Sequence, residues 1–409
     1  MAPSSDRREP RRRQGTTATS SDRRYGVDVT TLLWPRTGIG RYVAETVDAM
    51  TGMLEGDECL VLHAWCFRRN RLWGVDDGPL RELVRSRRAV LRRTLLPARA
   101  FRRLWRAFEW PPVSVLCGRV SSFHGPCYDL PPVGRTHGVV SIHDLAWHVL
   151  PNALPAQVRA DLERTVRTSV GRASAVLTDS RASARDVVER LGVAPERVVA
   201  IPLGVGPEFS RPADLQRCRE QLLAAHGVKC PYVLFVGATH PRKNVPRLVE
   251  AFGRLVASDD LPHELLVVGE KGFAHEEALS AARRAPAAGR VRFLGRAPNE
   301  HLPSLYACAD ALAFPSLHEG FGLPVLEAMA AGCPVLTSNV SSLPEVAGPA
   351  AVLVDPTCAD EIVEGLRNLL TDAGLRERLV SLGRERAARF TWERTAREHL
   401  AVYRRLASR

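Results

Sequence analysis

From Tyr25 onward the chain alternates short apolar runs with longer stretches in which apolar residues recur every three or four positions. The first pattern predicts buried β-strands and the second amphipathic helices. Thus "YGVDVTTL" reads as a strand, "GIGRYVAETVDAMTGML" as a helix entered through glycines, and "CLVLHAWCF" as a second strand. "HGVVSIHDL", "ASAVLTDS" and "RVVAIPLGV" continue the series, the first two followed by helical patterns. After the polar helical segment "LQRCREQLLAAHG" the same grammar returns in "YVLFVG", "ELLVVG", "VRFLG", "ALAFPS", "PVLTSN" and "AVLVD". Alternation of this kind builds an α/β chain whose parallel sheets are covered on both faces. Its repetition predicts two Rossmann-like domains, residues 25–206 and 231–389, joined by a linker at 207–230 and followed by a helix at 390–409. Ligands of such sheets bind beyond the carboxyl ends of the strands, so two facing domains frame a cleft.

Composition adds limits to this picture. The first residues, up to about Arg24, are polar, basic and poor in apolar side chains, which predicts a disordered tail. They lack the hydrophobic segment of a signal peptide, and no apolar run reaches membrane-spanning length, so a cytoplasmic location is expected. Nine cysteines without a Cys-x-x-Cys pair argue against a disulfide framework and a zinc site and read as mostly buried thiols. The net charge of +12 is carried almost wholly by arginine, since Lys229, Lys243 and Lys271 are the only lysines. No zinc-finger or RNP-type signature accompanies it, so nucleic acid is not expected as a partner. One basic cluster stands out between Arg68 and Arg106, where "VRSRRAVLRRTLLPARAFRRLWRAF" interleaves arginines with Leu, Phe and Trp. It reads either as an amphipathic helix lying on an anionic membrane surface or as a solvated helix face packed on its own domain.

Candidate chemistry concentrates at Ser316–Gly332, "SLHEGFGLPVLEAMAAG". The strand "ALAFPS" leads into a loop carrying Glu319, Pro324 suits the first turn of a helix, and Gly332 suits its end. Glu327 then lies about one turn into that helix. The helix start offers unpaired N–H groups to a phosphate, and Gly320 and Gly322 allow close backbone approach. Carboxylates at Glu319 and Glu327 suit vicinal hydroxyls, one those of a sugar and the other those of a ribose. A merely capped helix would carry the same residues.

Glutamate, seven residues, glutamate, within "EGFGLPVLEAMAAGCPV", resembles the signature of the retaining glycosyltransferases of family 4, which have the GT-B fold. "TGIGRY", "SIHDL", "IPLGV", "VGATHPRKN", "LPEVAG" and "FTWERTAREHLAVYRRL" match in the family's order, so the resemblance covers about residues 25–409. Together they are most similar to bacterial mannosyltransferases of surface polysaccharide synthesis. The resemblance implies two Rossmann-like domains facing across a cleft, with the C-terminal helix crossing back to the first. It implies that Arg242 and Lys243 meet the donor diphosphate and that the amides of Gly38 and Gly40 approach it from the opposite wall. His143 would stand near the transferred sugar. Glu319 would hold its hydroxyls and Glu327 the ribose, with Gly320, Phe321, Gly322 and Leu323 forming the donor loop. Glu319 and Lys243 are expected on exposed cleft loops. Ala238 departs from many relatives, which carry an arginine there, so Arg242 either substitutes for it or the diphosphate has one cation fewer.

The implied activity moves a hexose with retention, most simply mannose from GDP-mannose, to a glycan or polyprenyl-diphosphate-linked acceptor. A UDP-dependent hexosyl or GlcNAc transferase is the alternative, and a sugar-nucleotide epimerase a remoter one. No Asp-x-Asp motif follows a strand, so neither metal nor cofactor is expected. A pyridoxal-dependent phosphorylase would need a lysine and a longer chain, and a binding module has no use for the glutamate pair.

Overall fold

The computed structural model describes residues 23–33, 38–65, 88–95, 101, 104–105, 107–212, 214–229, 231–284, 286 and 288–409. The expectations for residues 1–22, and for the basic cluster up to Arg87, lie outside them. The first sheet contains β1 (Arg24–Asp28), β2 (Cys59–Trp65), β3 (Ala89–Thr94), β4 (Ser122–Gly125), β5 (His137–Ser141), β6 (Ala173–Thr178) and β7 (Val198–Ala200), ordered β3-β2-β1-β4-β5-β6-β7. The second contains β8 (Tyr232–Val236), β9 (Glu264–Val268), β10 (Val291–Gly295), β11 (Ala311–Phe314), β12 (Val335–Ser338) and β13 (Val352–Val354), ordered β10-β9-β8-β11-β12-β13. All pairings are parallel. Each sheet therefore reverses its strand order once, beside β1 and beside β8, and at such switch points a crevice opens at the strand ends.

The helices that matter below are α1 (Gly38–Gly52), α2 (Ala156–Arg172), α3 (Arg181–Leu191), α4 (Leu215–His226), α5 (Val245–Ser258), α6 (Leu323–Ala331), α7 (Leu343–Ala347) and α8 (Trp392–Ala407). Their ends follow from local chemistry. Asp214 accepts from the Arg217 amide at the start of α4, and Gly227 closes it in the left-handed region. Thr391 accepts from the Arg394 amide at the start of α8. Pro324 falls in the first turn of α6 and Gly332, at φ 73°, ends it, as the sequence predicts.

The period of two along each strand divides the first domain's apolar residues between two cores. Leu60, Leu62, Val139, Ala175 and Leu177 face one, whereas Val61, Val140 and Val176 face the other. The first core is continuous with that of the second domain, because α8 crosses back. Tyr403 packs on Tyr25 at 5.6 Å between ring centroids, Thr395 Oγ1 donates to the Pro202 carbonyl at 2.7 Å, and Arg404 pairs with buried Glu58 at 2.8 Å. The crossing is as expected.

Two strands, β3 and β4, were not legible. Within the basic cluster, Ala89–Thr94 is an edge strand and not a helix: Ala89 and Leu91 pack inward, and Arg92 and Arg93 are exposed where charge is tolerated and discourages further pairing. Phe101 and Leu104 are helical, and the rings of Phe101 and Trp105 stand tilted and edge-to-face against Trp65 at 5.0 and 5.6 Å. No helix among the described residues is long and apolar enough to cross a membrane. The described cysteines are free and buried or half-buried.

Candidate active site

A cleft of about 560 Å³ lies between the two sheets. The loop after β5 contributes His143 and Asp144, the loop after β6 Asp179, and the first turn of α1 Gly38 and Arg41. From the second domain come Gly237 after β8, Arg242 and Lys243 ahead of α5, and Glu319 to Glu327 after β11. Every sequence-predicted site residue lines this space except Gly40, which is buried within α1. A Cβ on Gly38 would meet nothing within 4 Å, so its side of the cleft is open. Two glycines of the loop after β11 serve packing more than ligand approach. A Cβ on Gly320 would stand 2.2 Å from the His143 carbonyl oxygen, so the second domain's loop abuts the first domain's backbone. Gly322, at φ 111°, takes a conformation that side chains disfavour, and a Cβ there would strike Leu343.

Glu319 joins the two cations. Its Oε2 is 2.6 Å from Arg242 Nη1 and its Oε1 2.7 Å from Lys243 Nζ. Burial alone would raise the Glu319 pKa; the paired cations outweigh it and hold the carboxyl down at about 2. Burial pushes Lys243 down to about 8, against the pull of Glu319, and Arg242 adds to the fall. Lys243 Nζ also stands 4.5 Å from the Phe314 ring centroid. Contrary to expectation neither residue is on an exposed loop: Glu319 is 5% and Lys243 9% accessible. The turn that brings them together depends on Asn244, held in the left-handed region at φ 60° while its Nδ2 donates to the carbonyls of Pro315 and Pro356.

Glu327 is likewise taken on both oxygens. Tyr306 Oη donates to Oε2 at 2.7 Å, and Arg41 Nη1, from the other domain, pairs with Oε1. Burial raises its pKa, and Arg41 and Tyr306 partly oppose the rise.

His143 lines the cleft with both ring nitrogens engaged. Nδ1 is 2.8 Å from Asp179 Oδ2 and Nε2 2.8 Å from the Pro126 carbonyl oxygen. Neither acceptor can donate, so both nitrogens carry protons and the ring is an imidazolium. Burial would lower its pKa, but Asp179 and the Pro126 carbonyl raise it on balance. Tyr42 and Tyr128 stand edge-to-face against the ring at 5.1 and 5.4 Å. Asp144 caps the next turn, accepting from the Ala146 amide at 3.0 Å.

Beneath His143 a buried chain of hydrogen bonds fixes Tyr42. His399 Nδ1 donates to the Thr395 carbonyl at 2.8 Å, and its pKa, lowered by burial to about 4, keeps the ring neutral. Its Nε2 must then accept from Tyr42 Oη at 2.8 Å. Tyr42 consequently accepts from Ser141 at 2.9 Å, Ser141 from His124 Nε2 at 2.8 Å, and His124 Nδ1 from Tyr403 Oη at 2.6 Å. The run starts and ends on α8 and leaves one direction for each proton. Burial also lowers the His124 pKa, as a neutral link requires.

Sequence reasoning missed Asp179 and Tyr306 as partners of the site, and named Arg41 and Tyr42 only within "GIGRY". Asp179 alone carried a usable signal, because "TDS" ends a strand as "IHD" does. Among the described residues no group of three or more His, Cys, Asp or Glu is placed to hold a metal ion.

Two parallel-sheet domains with paired cations and carboxylates at the strand ends form the frame of a GT-B glycosyltransferase. Residues 36–209 match Glycosyltransferase Family 4, and residues 221–386 match glycosyl transferases group 1. O-antigen chain mannosyltransferase B of Escherichia coli is 31% identical over 92% of this chain and 98% of its own. The MMP alpha-(1->4)-mannosyltransferase of Mycolicibacterium hassiacum is 33% identical over 57% of this chain and 54% of its own. Sucrose-phosphate synthase of Thermosynechococcus elongatus shares the fold, with a TM-score of 0.72 at 21% identity, over 94% of this chain and 99% of that one. The chain belongs to glycosyltransferase family 4.

Proposed function

We propose that the protein transfers mannose from GDP-mannose, with retention, to a glycan on a lipid diphosphate carrier, without a metal ion. The observation that carries this reading is the buried cluster of Arg242, Lys243 and Glu319 at the end of the second sheet, opposite Gly38. The mannosyltransferase names of the relatives support the sugar. In this reading the two cations face the diphosphate, and Glu319 accepts from sugar hydroxyls while remaining paired. The acceptor oxygen attacks the anomeric carbon on the face from which the diphosphate departs. The electron pair of the breaking C1–O bond passes to the diphosphate oxygen, which takes the acceptor proton. Arg242 and Lys243 stabilise the charge that grows there and do what a divalent cation does elsewhere. His143, already protonated and held by Asp179, supplies fixed positive charge and serves as no base.

A lipid-linked acceptor is supported by the surface of the first domain, where Leu95, Phe108, Trp110 and Val115 are exposed near Arg92 and Arg93. The deciding assay offers GDP-mannose, UDP-glucose and UDP-GlcNAc with a polyprenyl-diphosphate glycan, with and without EDTA, and reads the anomer of the product. Turnover of GDP-mannose to an α-linked product in EDTA is expected. Preference for a UDP-sugar, an inverted product, or rescue by magnesium or manganese each overturns the corresponding part.

A further inference from the structure

Glu327, assigned above to the donor ribose by resemblance, meets that ribose only if one of its present partners yields. Tyr306 belongs to the same domain as Glu327 and is fully buried. Arg41 is different in kind. It sits in the first turn of α1, 286 residues away in sequence, and reaches across the cleft to Oε1. Its guanidinium lies over Phe209 at 4.9 Å, where the first domain ends, and its side chain keeps 14% of its surface accessible on the cleft. A guanidinium has five N–H donors, and hydrogen bonds among the described residues engage Nη1 alone. Such a fork binds a phosphate as readily as a carboxylate. Arg242 and Lys243 stand on the other wall, already sharing Glu319.

We infer that Arg41 changes partners during donor binding: ribose hydroxyls take Oε1 of Glu327, and the released guanidinium turns to the donor diphosphate, opposite Arg242 and Lys243. This inference rests on the nucleotide-sugar reading. It makes recognition of the ribose the condition for completing the clamp on the leaving group. A nucleoside diphosphate gains from Arg41, and a nucleoside alone has only to displace it.

The test is calorimetric titration of wild type, Arg41→Lys and Arg41→Gln with GDP and with guanosine, UDP and uridine serving in parallel. In Arg41→Gln the diphosphate should bind more than tenfold more weakly, whereas the nucleoside binds as well as or better than to wild type. Arg41→Lys, which keeps the charge, should recover part of the diphosphate affinity. Equal losses for nucleoside and diphosphate mean that Arg41 only holds the domains together and overturn the exchange; no loss for either overturns it too. A second readout covers a variant that folds poorly. The thermal-stability coupling between Arg41→Lys and Glu327→Gln should be present in the free protein and vanish at saturating GDP or UDP. Coupling that persists overturns the inference. If wild type binds none of these nucleotides, the nucleotide-sugar reading falls first and this inference with it.

Discussion

At the scale of single residues, the site is a set of charges each matched by a neighbour, and Lys243 is poised just above neutral pH. Burial holds its pKa at about 8. A dianionic diphosphate beside it would favour the charged form, so the complex binds a proton that the free enzyme loses above that pH. Donor affinity should therefore stay level below about pH 8 and weaken above it, by up to about tenfold per pH unit. The donor KM measured across this range checks the sign; a KM that stays level as pH passes through 8, or climbs toward acid, contradicts it. The identities of His143, Arg242, Lys243, Glu319 and Glu327 were legible because they sit in a short motif or at a strand end. Their pairings were not. Asp179 lies 36 residues from His143, and His399 lies 357 from Tyr42, distances in sequence that only the topology closes. Nor does the motif reveal that Glu319 is buried between two cations, which is why its neutralisation would disturb the fold as well as the chemistry.

Among elements, the domains meet through a helix end. The start of α3 presents unpaired amides toward α7 of the other domain, and Glu345 accepts from Arg181 N at 3.0 Å and Ala182 N at 3.3 Å. Ser180 satisfies the Ser183 amide of the same turn, so a side chain from each domain shares the cap. Ser183 Oγ in turn donates to the carbonyls of His143 and Gly320, tying the two site loops. Glu345→Ala should cost about 1 kcal/mol of stability and, by loosening the closed arrangement, raise the donor KM more than it lowers kcat. Thermal unfolding and steady-state kinetics together decide this. An unchanged KM would mean that closure does not depend on the cap. Most strands announced themselves by their apolar runs, whereas β3 hid in an arginine-rich segment at the sheet edge and β4, "SFHG", in the middle of the sheet, is too short and too polar to stand out. Edge position explains the first, since an edge strand need not be apolar on both sides. For β4, the buried polar His124, which hydrogen-bonds to Ser141 and Tyr403, interrupts the apolar pattern.

For the whole molecule, exposed apolar side chains concentrate in the stretch of the first domain that follows the exposed Arg92 and Arg93 of β3. Five of the nine large hydrophobic residues exposed among the described residues lie between Leu95 and Val115. Association with anionic vesicles is expected at low salt and should weaken as salt screens the arginines. Arg92→Gln with Arg93→Gln should reduce co-sedimentation without altering turnover of a water-soluble acceptor. Wild type left in the supernatant at low salt would make this stretch an ordinary solvated surface and favour a soluble acceptor. The two-domain plan was legible at this scale because each domain repeats one grammar, and the return of α8 was legible only by resemblance. That return has a consequence in time. A ribosome delivers β1 to β7 long before Trp392 to Leu406, yet the core beside β1 is closed by those late residues, and Tyr42 and His124 wait for His399 and Tyr403. The half of the protein synthesised first is thus the last to be completed, and it carries an unfinished apolar face throughout the making of the other half.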